Sequence, residues 1–266
     1  MLIAQLSDMH LRAEGQLLYD RIDTAGYLER AVAHVSKLDP RPDVVLMTGD
    51  LVEAGKPEEY ARLRRLIAPL SMPVYVIPGN HDARDALRAA FSDKSYFPAS
   101  GFLQYVVDDG SLRLIALDTL VEGKPFGELC AERLAWLDAR LAESDKPALL
   151  FMHHPPFDTG ISAFDGAKLN VGSERFAEIV RRHPHVERVT CGHVHRPIQV
   201  RWAGTVASTA PSTAHQATLD LHPGAPLSMM MEPPAIALHQ WRPGTGLVTH
   251  VSYIGDFEGP KPFRKM

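Results

Sequence analysis

Up to Arg196 the chain alternates short apolar runs with longer stretches whose apolar residues recur at helical spacing, the pattern of β-α-β units. The runs predict strands at residues 2–6, 44–47, 74–77, 148–152 and 186–191, and the longer stretches predict helices at 24–38, 57–68, 131–141 and 173–182. The first helix must stop before Asp39-Pro40-Arg41-Pro42, because proline lacks the amide hydrogen a helix needs. Pro57 suits the opening turn of the second, where Glu58 and Glu59 meet the positive end of the peptide dipoles. Leu134, Leu137 and Leu141 share one face of the third. Segments 103–107 and 112–117, joined by Asp108-Asp109-Gly110-Ser111, read as a β-hairpin.

Beyond Arg196 the texture changes to strand-like pieces at 198–202, 205–208, 235–241 and 247–253, broken by Gly and Pro. Between them, 211–234 is rich in Pro, Ser, His and Met and has no period, which marks a functional loop or an interface element. Its Ser228-Met229-Met230-Met231 suits core filling as well as binding.

Composition narrows the class without naming a function. A chain of 266 residues can bury a large core in one or two domains. A net charge of −4 gives no reason to expect a protein that coats nucleic acid or an anionic membrane, although bound metal ions can invert the sign of one pocket. Cys130 and Cys191 form no C-x-x-C pair, and Cys191 closes an apolar strand, as a small buried thiol does. Residues 1–6 are too short for the apolar part of a signal peptide, and no apolar run is long enough to cross a bilayer. A cytoplasmic location is therefore expected.

The chemistry lies in five polar clusters placed where predicted strands run out. They are Asp8-Met9-His10, Gly49-Asp50, Gly79-Asn80-His81-Asp82, His153-His154 and Gly192-His193-Val194-His195. In α/β sheets such rims are where loops converge on a ligand. Imidazoles with carboxylates suit iron, zinc, manganese or cobalt, and a carboxylate with two oxygens can bridge a pair of ions. Asp8 and His10, two apart on an extended segment, point the same way. His193 and His195 do likewise unless the turn at Gly192 sends them to different ions. Gly49 lets the backbone approach the ions closely, which makes Asp50 the candidate bridge. His153, one residue before His154, is expected to face the other way and to serve packing or support.

In this order the motifs D-x-H, G-D, G-N-H-D, H-H and G-H-x-H resemble the calcineurin-like metallophosphoesterase superfamily. The stretches Gln5-Leu6-Ser7-Asp8-Met9-His10, Gly49-Asp50-Leu51-Val52, Ile77-Pro78-Gly79-Asn80-His81-Asp82 and Phe151-Met152-His153-His154-Pro155-Pro156 are similar to the class III cyclic nucleotide phosphodiesterases, and most of all to bacterial glycerophosphodiesterases of that class. The resemblance implies a four-layer α/β/β/α sandwich of two mixed sheets. Residues 1–198 would form the catalytic core, and the strands of 199–266 would complete the second sheet, with 211–234 as a cap or oligomer contact. It also implies one metal held by Asp8, His10, Asp50 and His195 and a second held by Asp50, Asn80, His154 and His193. Asn80, His81 and His215 would face substrate, with His81 beside the scissile phosphate.

The phosphoprotein phosphatases of the superfamily read G-D-x-V-D-R-G and G-N-H-E, whereas this chain has Gly49-Asp50-Leu51-Val52-Glu53-Ala54-Gly55 and ends its third motif in Asp82. The missing arginine argues against a phosphoprotein substrate. Glu53 reads as an exposed loop acid with an optional role in orienting His81. Arg12 and Tyr19 read as solvated loop residues, and His183, His185, His222, His239 and His250 as structural.

The expected reaction is hydrolysis of small phosphodiesters, cyclic nucleotides or glycerophosphodiesters, by hydroxide generated on two transition-metal ions, with His81 protonating the leaving alkoxide. The alternatives are a phosphomonoesterase or nucleotide pyrophosphatase on the same metals, and a non-catalytic scaffold. No membrane and no stable nucleic-acid partner is expected. The Met-rich and Pro-rich loop predicts a homo-oligomer.

Overall fold

The computed structural model describes residues 1–108 and 110–263. Three parallel strands open the chain: β1 (Leu2–Leu6), β2 (Val44–Thr48) and β3 (Val74–Ile77), separated by α1 (Thr24–Lys37) and α2 (Pro57–Ile67) and followed by α3 (Arg84–Ala90). A second series follows. It comprises β4 (Tyr105–Val107), β5 (Arg113–Ala116), the short β6 (Gly127–Glu128), α4 (Ala131–Ala142), β7 (Ala148–Phe151), α5 (Ser162–Asp165), β8 (Leu169–Val171), α6 (Ser173–Arg182) and β9 (Val186–Cys191). The remainder is all strand: β10 (Ile198–Trp202), β11 (Thr205–Thr209), β12 (Gln216–Ala217), β13 (Met229–Met230), β14 (Ala235–Arg242) and β15 (Gly246–Tyr253).

Two mixed sheets result, in the orders β15-β14-β1-β2-β3 and β10-β11-β9-β7-β5-β4. The C-terminal strands divide between them: β10 and β11 extend the second sheet, while β14 pairs antiparallel with β1 and carries β15 on the first. They do not all complete the second sheet, as the sequence suggested. Segments 105–107 and 113–116 pair antiparallel as expected, with Asp109 of their connection outside the described residues.

Alternation along the strands builds the layers. On β2, Val45 and Met47 pack beneath the helices of the first half, whereas Val44 and Leu46 turn inward. On β7, Leu150 packs under α4 and α6, and Leu149 and Phe151 meet Leu46 and Ile77 of the opposite sheet. Strands buried on both faces read as continuous apolar runs for this reason. Three cores, one between the sheets and one outside each, make the four-layer α/β/β/α sandwich.

Local chemistry sets the helix ends. The Asp23 carboxylate accepts from Gly26 N at 3.1 Å at the start of α1. Buried Glu59 accepts from Ala54 N at 2.9 Å and Lys56 N at 3.2 Å, which ties the loop after Asp50 to the first turn of α2. Among the described residues no helix is long and apolar enough to cross a membrane.

Candidate metal centre

All five clusters meet at the carboxyl rim of the two sheets. Backbone pairing joins the first two, with Asp8 N donating to Gly49 O at 3.2 Å and His10 N to Asp50 O at 2.9 Å. Buried Asp82 joins the next by accepting from Leu51 N at 3.1 Å, Gly79 N at 2.8 Å and the Tyr60 hydroxyl at 2.9 Å. Burial, and then the charge of Asp50, pushes its carboxyl up to about 6. Asp8, His10, Asp50, His193 and His195 all have positive φ, between 45° and 71°. Non-glycine residues adopt that region at a cost, roughly 1–3 kcal/mol each, and such strain gathers at functional sites. Gly49, at φ 88°, and Gly79 lie so close to His153 and to Asp50 respectively that a Cβ at either would collide with it.

Hydrogen bonds orient each carboxylate and leave oxygens free. Asp8 Oδ1 accepts from His193 N at 2.9 Å, and Asp8 Oδ2 is buried with no partner. Asp50 Oδ1 accepts from His81 N at 2.9 Å. Asp50 Oδ2 lies 3.5 Å from His10 Nε2 and 3.3 Å from His153 Nε2, between two imidazoles on different sides.

The imidazoles show what the centre requires. His10 Nδ1 donates to Glu53 Oε2 at 2.7 Å, and His195 Nδ1 donates to His215 O at 3.0 Å. With both protons committed there, His10 Nε2 and His195 Nε2 face each other at 3.1 Å, with Asp8 Oδ1 3.6 Å from the latter. Burial opposes charge on His10, but Glu53 and Asp50 outweigh it and raise the ring, so the gap draws a positive charge, and in the neutral rings it holds two facing lone pairs. Facing lone pairs repel, and a cation between them converts repulsion into ligation. The other side also draws a positive charge. His153 Nδ1 donates to Thr48 O at 2.8 Å, and its Nε2 faces two acceptors, Asp50 Oδ2 and, at 3.1 Å, Asn80 Oδ1. Burial opposes charge on the ring, but Asp50 outweighs it and raises His153 to about 9, a proton that a metal cation would replace. His193 Nδ1 stands 3.0 Å from Asn80 Oδ1. Burial holds His154 and His193 well below the usual imidazole range and His195 at about 3, so they offer neutral nitrogens, the form a metal binds. The residues fit a pair of metal ions.

His153 corrects one expectation. The alternation argument assumed a strand through residue 152, but β7 ends at Phe151, and the ring faces Asp50 and Asn80 instead of turning away. His154 lies beside it, with Nδ1 2.8 Å from Thr119 Oγ1, Nε2 buried without a partner and the ring 4.7 Å from that of His193.

Glu53 is also more than a loop acid. Its Oε2 bonds His10 and stands 3.3 Å from His81 Nδ1, while Glu53 O accepts from that same nitrogen at 3.1 Å. Glu53→Gln is therefore expected to weaken metal binding and kcat/KM together, by about 10–100-fold, the usual effect of losing a ligand's orienting partner. Titrating the metal-stripped variant with zinc while following activity checks this, and unchanged affinity contradicts it.

Asn80, His81 and His215 line the cavity over the centre, which has a volume of about 370 Å³. The buried ring of His215 lies 4.6 Å from that of His195, and burial, followed by the charges of His195 and His10, lowers it to about 2. Tyr19 lines the cavity too, edge-on to His215 at 6.1 Å, so it is not merely a solvated loop residue. Arg12 stays outside the lining, 3.9 Å from Glu59. His239 is structural as read, bonding Gln5 Oε1 at 2.9 Å between the sheets.

A histidine–carboxylate centre that can hold metal, set on the rim of a two-sheet sandwich, is that of a metallohydrolase. The chain belongs to the calcineurin-like phosphoesterase family, whose model matches residues 1–197. It is 41% identical over 264 residues to a probable glycerophosphodiester phosphodiesterase of Arcobacter nitrofigilis, covering 99% of this chain and 97% of that one. It is 37% identical over 236 residues to a probable cyclic nucleotide phosphodiesterase of Rhodopseudomonas palustris, covering 87% and 85%. The fold is also that of a dimetal phosphatase from Danio rerio, with a TM-score of 0.62, 15% identity and coverage of 96% and 99%. The protein is a metal-dependent phosphodiester hydrolase.

Proposed function

We propose that the protein hydrolyses small phosphodiesters, 3',5'-cyclic nucleotides or glycerophosphodiesters, at two metal ions that share Asp50. The observation that carries this is Asp50 Oδ2, set within 3.5 Å of imidazole nitrogens from two separate donor groups. Asp8, His10, Asp50 and His195 would hold the first ion. Asp50, Asn80 and His193 would hold the second with one imidazole of the His153–His154 pair, and the distances to Asp50 and Asn80 favour His153. The donors suit iron, zinc, manganese or cobalt. When bound, the ions would polarise the phosphoryl oxygens and acidify a water.

The chain's own groups have distinct tasks in this reading. Asn80 and His215 orient the phosphoryl group, and Glu53 fixes the rings of His10 and His81. His81, partly exposed in the cavity, delivers a proton to the departing alkoxide.

Residues 1–198 would supply the centre and 199–266 the sheet edges, with 211–234 as a cap. Leu219, Leu221 and Met231 on that segment are 59%, 62% and 51% exposed, which supports its burial against a second copy. Two unpaired cysteines fit a reducing cytoplasm.

Turnover of bis(p-nitrophenyl) phosphate and of p-nitrophenyl phosphate, before and after chelation, tests the reading. The diester is expected to be the better substrate and its hydrolysis to require metal. Preference for the monoester would instead indicate a phosphomonoesterase.

A further inference from the structure

The wall of the cavity over the centre comes from segments the chemistry does not use. One side is α5 with Ala167 after it, and the other is the β12–β13 pair with Leu227 ahead of it. Phe164 is 8% exposed and sets its ring edge-on to His193 at 5.4 Å. Met229 lies opposite Ala217 across the ladder, and Leu227 is 65% exposed at the rim.

Charge is confined to the floor. Among the described residues that line the cavity none is Lys or Arg, and Asp50 is the single carboxylate. The cation beside the β12–β13 pair, Arg196, is engaged by Glu232 at 2.7 Å and by Ala217 O. Exposed Arg21 stands outside the lining and acts on His215 only at a distance.

An ammonium head group or a second phosphate brought against this wall would shed water and find no counter-charge. An uncharged ring would gain burial and an edge contact with Phe164. We propose that the wall formed by Phe164, Ala217, Leu227 and Met229 selects phosphodiesters whose ester groups are uncharged and present an aromatic or aliphatic face. It discriminates against those with a free ammonium or a further phosphate. The proposal rests on the phosphodiesterase reading and names the substrate class of that same site.

Three diester anions competing against bis(p-nitrophenyl) phosphate on the metal-loaded protein test it: diphenyl phosphate, dimethyl phosphate and glycerophosphoethanolamine. Each carries one phosphodiester charge, so differences report the ester groups. Diphenyl phosphate is expected to compete at least ~10-fold more tightly than either of the others, the scale of discrimination an apolar pocket gives. Leu227→Glu, at an exposed position, is expected to remove most of the gap between diphenyl phosphate and glycerophosphoethanolamine. Leu227→Gln should weaken diphenyl phosphate without tightening glycerophosphoethanolamine. Equal competition by the three anions, or one common factor for all of them in Leu227→Glu, overturns the proposal. Failure to release p-nitrophenolate from the reporter diester at all overturns the phosphodiesterase reading instead.

Discussion

Asp50→Asn is expected to lower kcat/KM for bis(p-nitrophenyl) phosphate by at least ~10³-fold, beyond the 10–100-fold typical of residues that merely support a ligand. The reason lies in how the two oxygens are used. Oδ1 accepts from His81 N, and an asparagine oxygen can keep that bond. Oδ2 faces His10 Nε2 and His153 Nε2, and the amide nitrogen that replaces it is a donor without charge. It can fill the space between those lone pairs, so the fold and melting temperature are expected to survive while both ions are lost. Elemental analysis of the desalted variant beside its circular dichroism separates this from unfolding. His153→Ala should lose the ion on its own side and keep the one between His10 and His195, halving the metal content. If Asp50→Asn retains wild-type metal and turnover, the shared carboxylate is wrong. If His154→Ala shows the halved content in place of His153→Ala, the second ion belongs to His154.

The sandwich was legible because both sheets are buried on two faces, so β1, β2, β3 and β7 stand out as apolar runs. Short elements were not. In α3 only Leu87 is fully buried, too little to print a helical period, and α5, β12 and β13 are shorter than the windows over which periods show. The split of the C-terminal strands was invisible for another reason. Nothing within β14 or β11 marks its partner, and the pairing of β14 with β1 and of β11 with β9 is decided by residues far away in sequence.

Much of the centre could be read from residue types at strand ends, and its errors came from assuming regular backbone there. The positive φ values of Asp8, His10, Asp50, His193 and His195 set ring directions that no alternation rule predicts. Glu53 was read as a loop acid with an optional role at His81, and its bond to His10 was missed, because its place depends on a single bridge between Leu11 and Val52, with Glu53 N donating to Leu11 O at 3.1 Å, which carries the side chain under His10. Thr119 was missed because nothing in its neighbourhood forms a motif. It reaches His154 from the loop after β5, a loop held by the Asp118 carboxylate, which accepts from Leu103 N at 2.9 Å and Arg84 Nε at 2.7 Å.

His81→Gln is expected to cost little on one substrate and much on another, and the difference identifies its task. Its Nδ1 is committed to Glu53 O at 3.1 Å, so Nε2 is the nitrogen left to serve a bound ester in the cavity. A p-nitrophenolate leaves readily without a proton, whereas a glycerol or choline alkoxide does not. If His81 supplies that proton, the variant should lose ~10²–10⁴-fold in kcat/KM on glycerophosphocholine, the range general-acid catalysis spans. On bis(p-nitrophenyl) phosphate the loss should be about tenfold or less, because only positioning of the phosphoryl group is removed. Metal content should change little, since the variant keeps the backbone amide on Asp50 and loses only the contacts of the ring with Glu53 and, edge-on at 4.7 Å, with His10. An equal loss on both substrates would make His81 a binding group for the phosphoryl oxygens and leave the leaving group to be protonated by water. Glu53→Gln separates the two roles further: its effect on glycerophosphocholine should exceed its effect on the aryl diester only if the carboxylate acts through His81 as well as through His10.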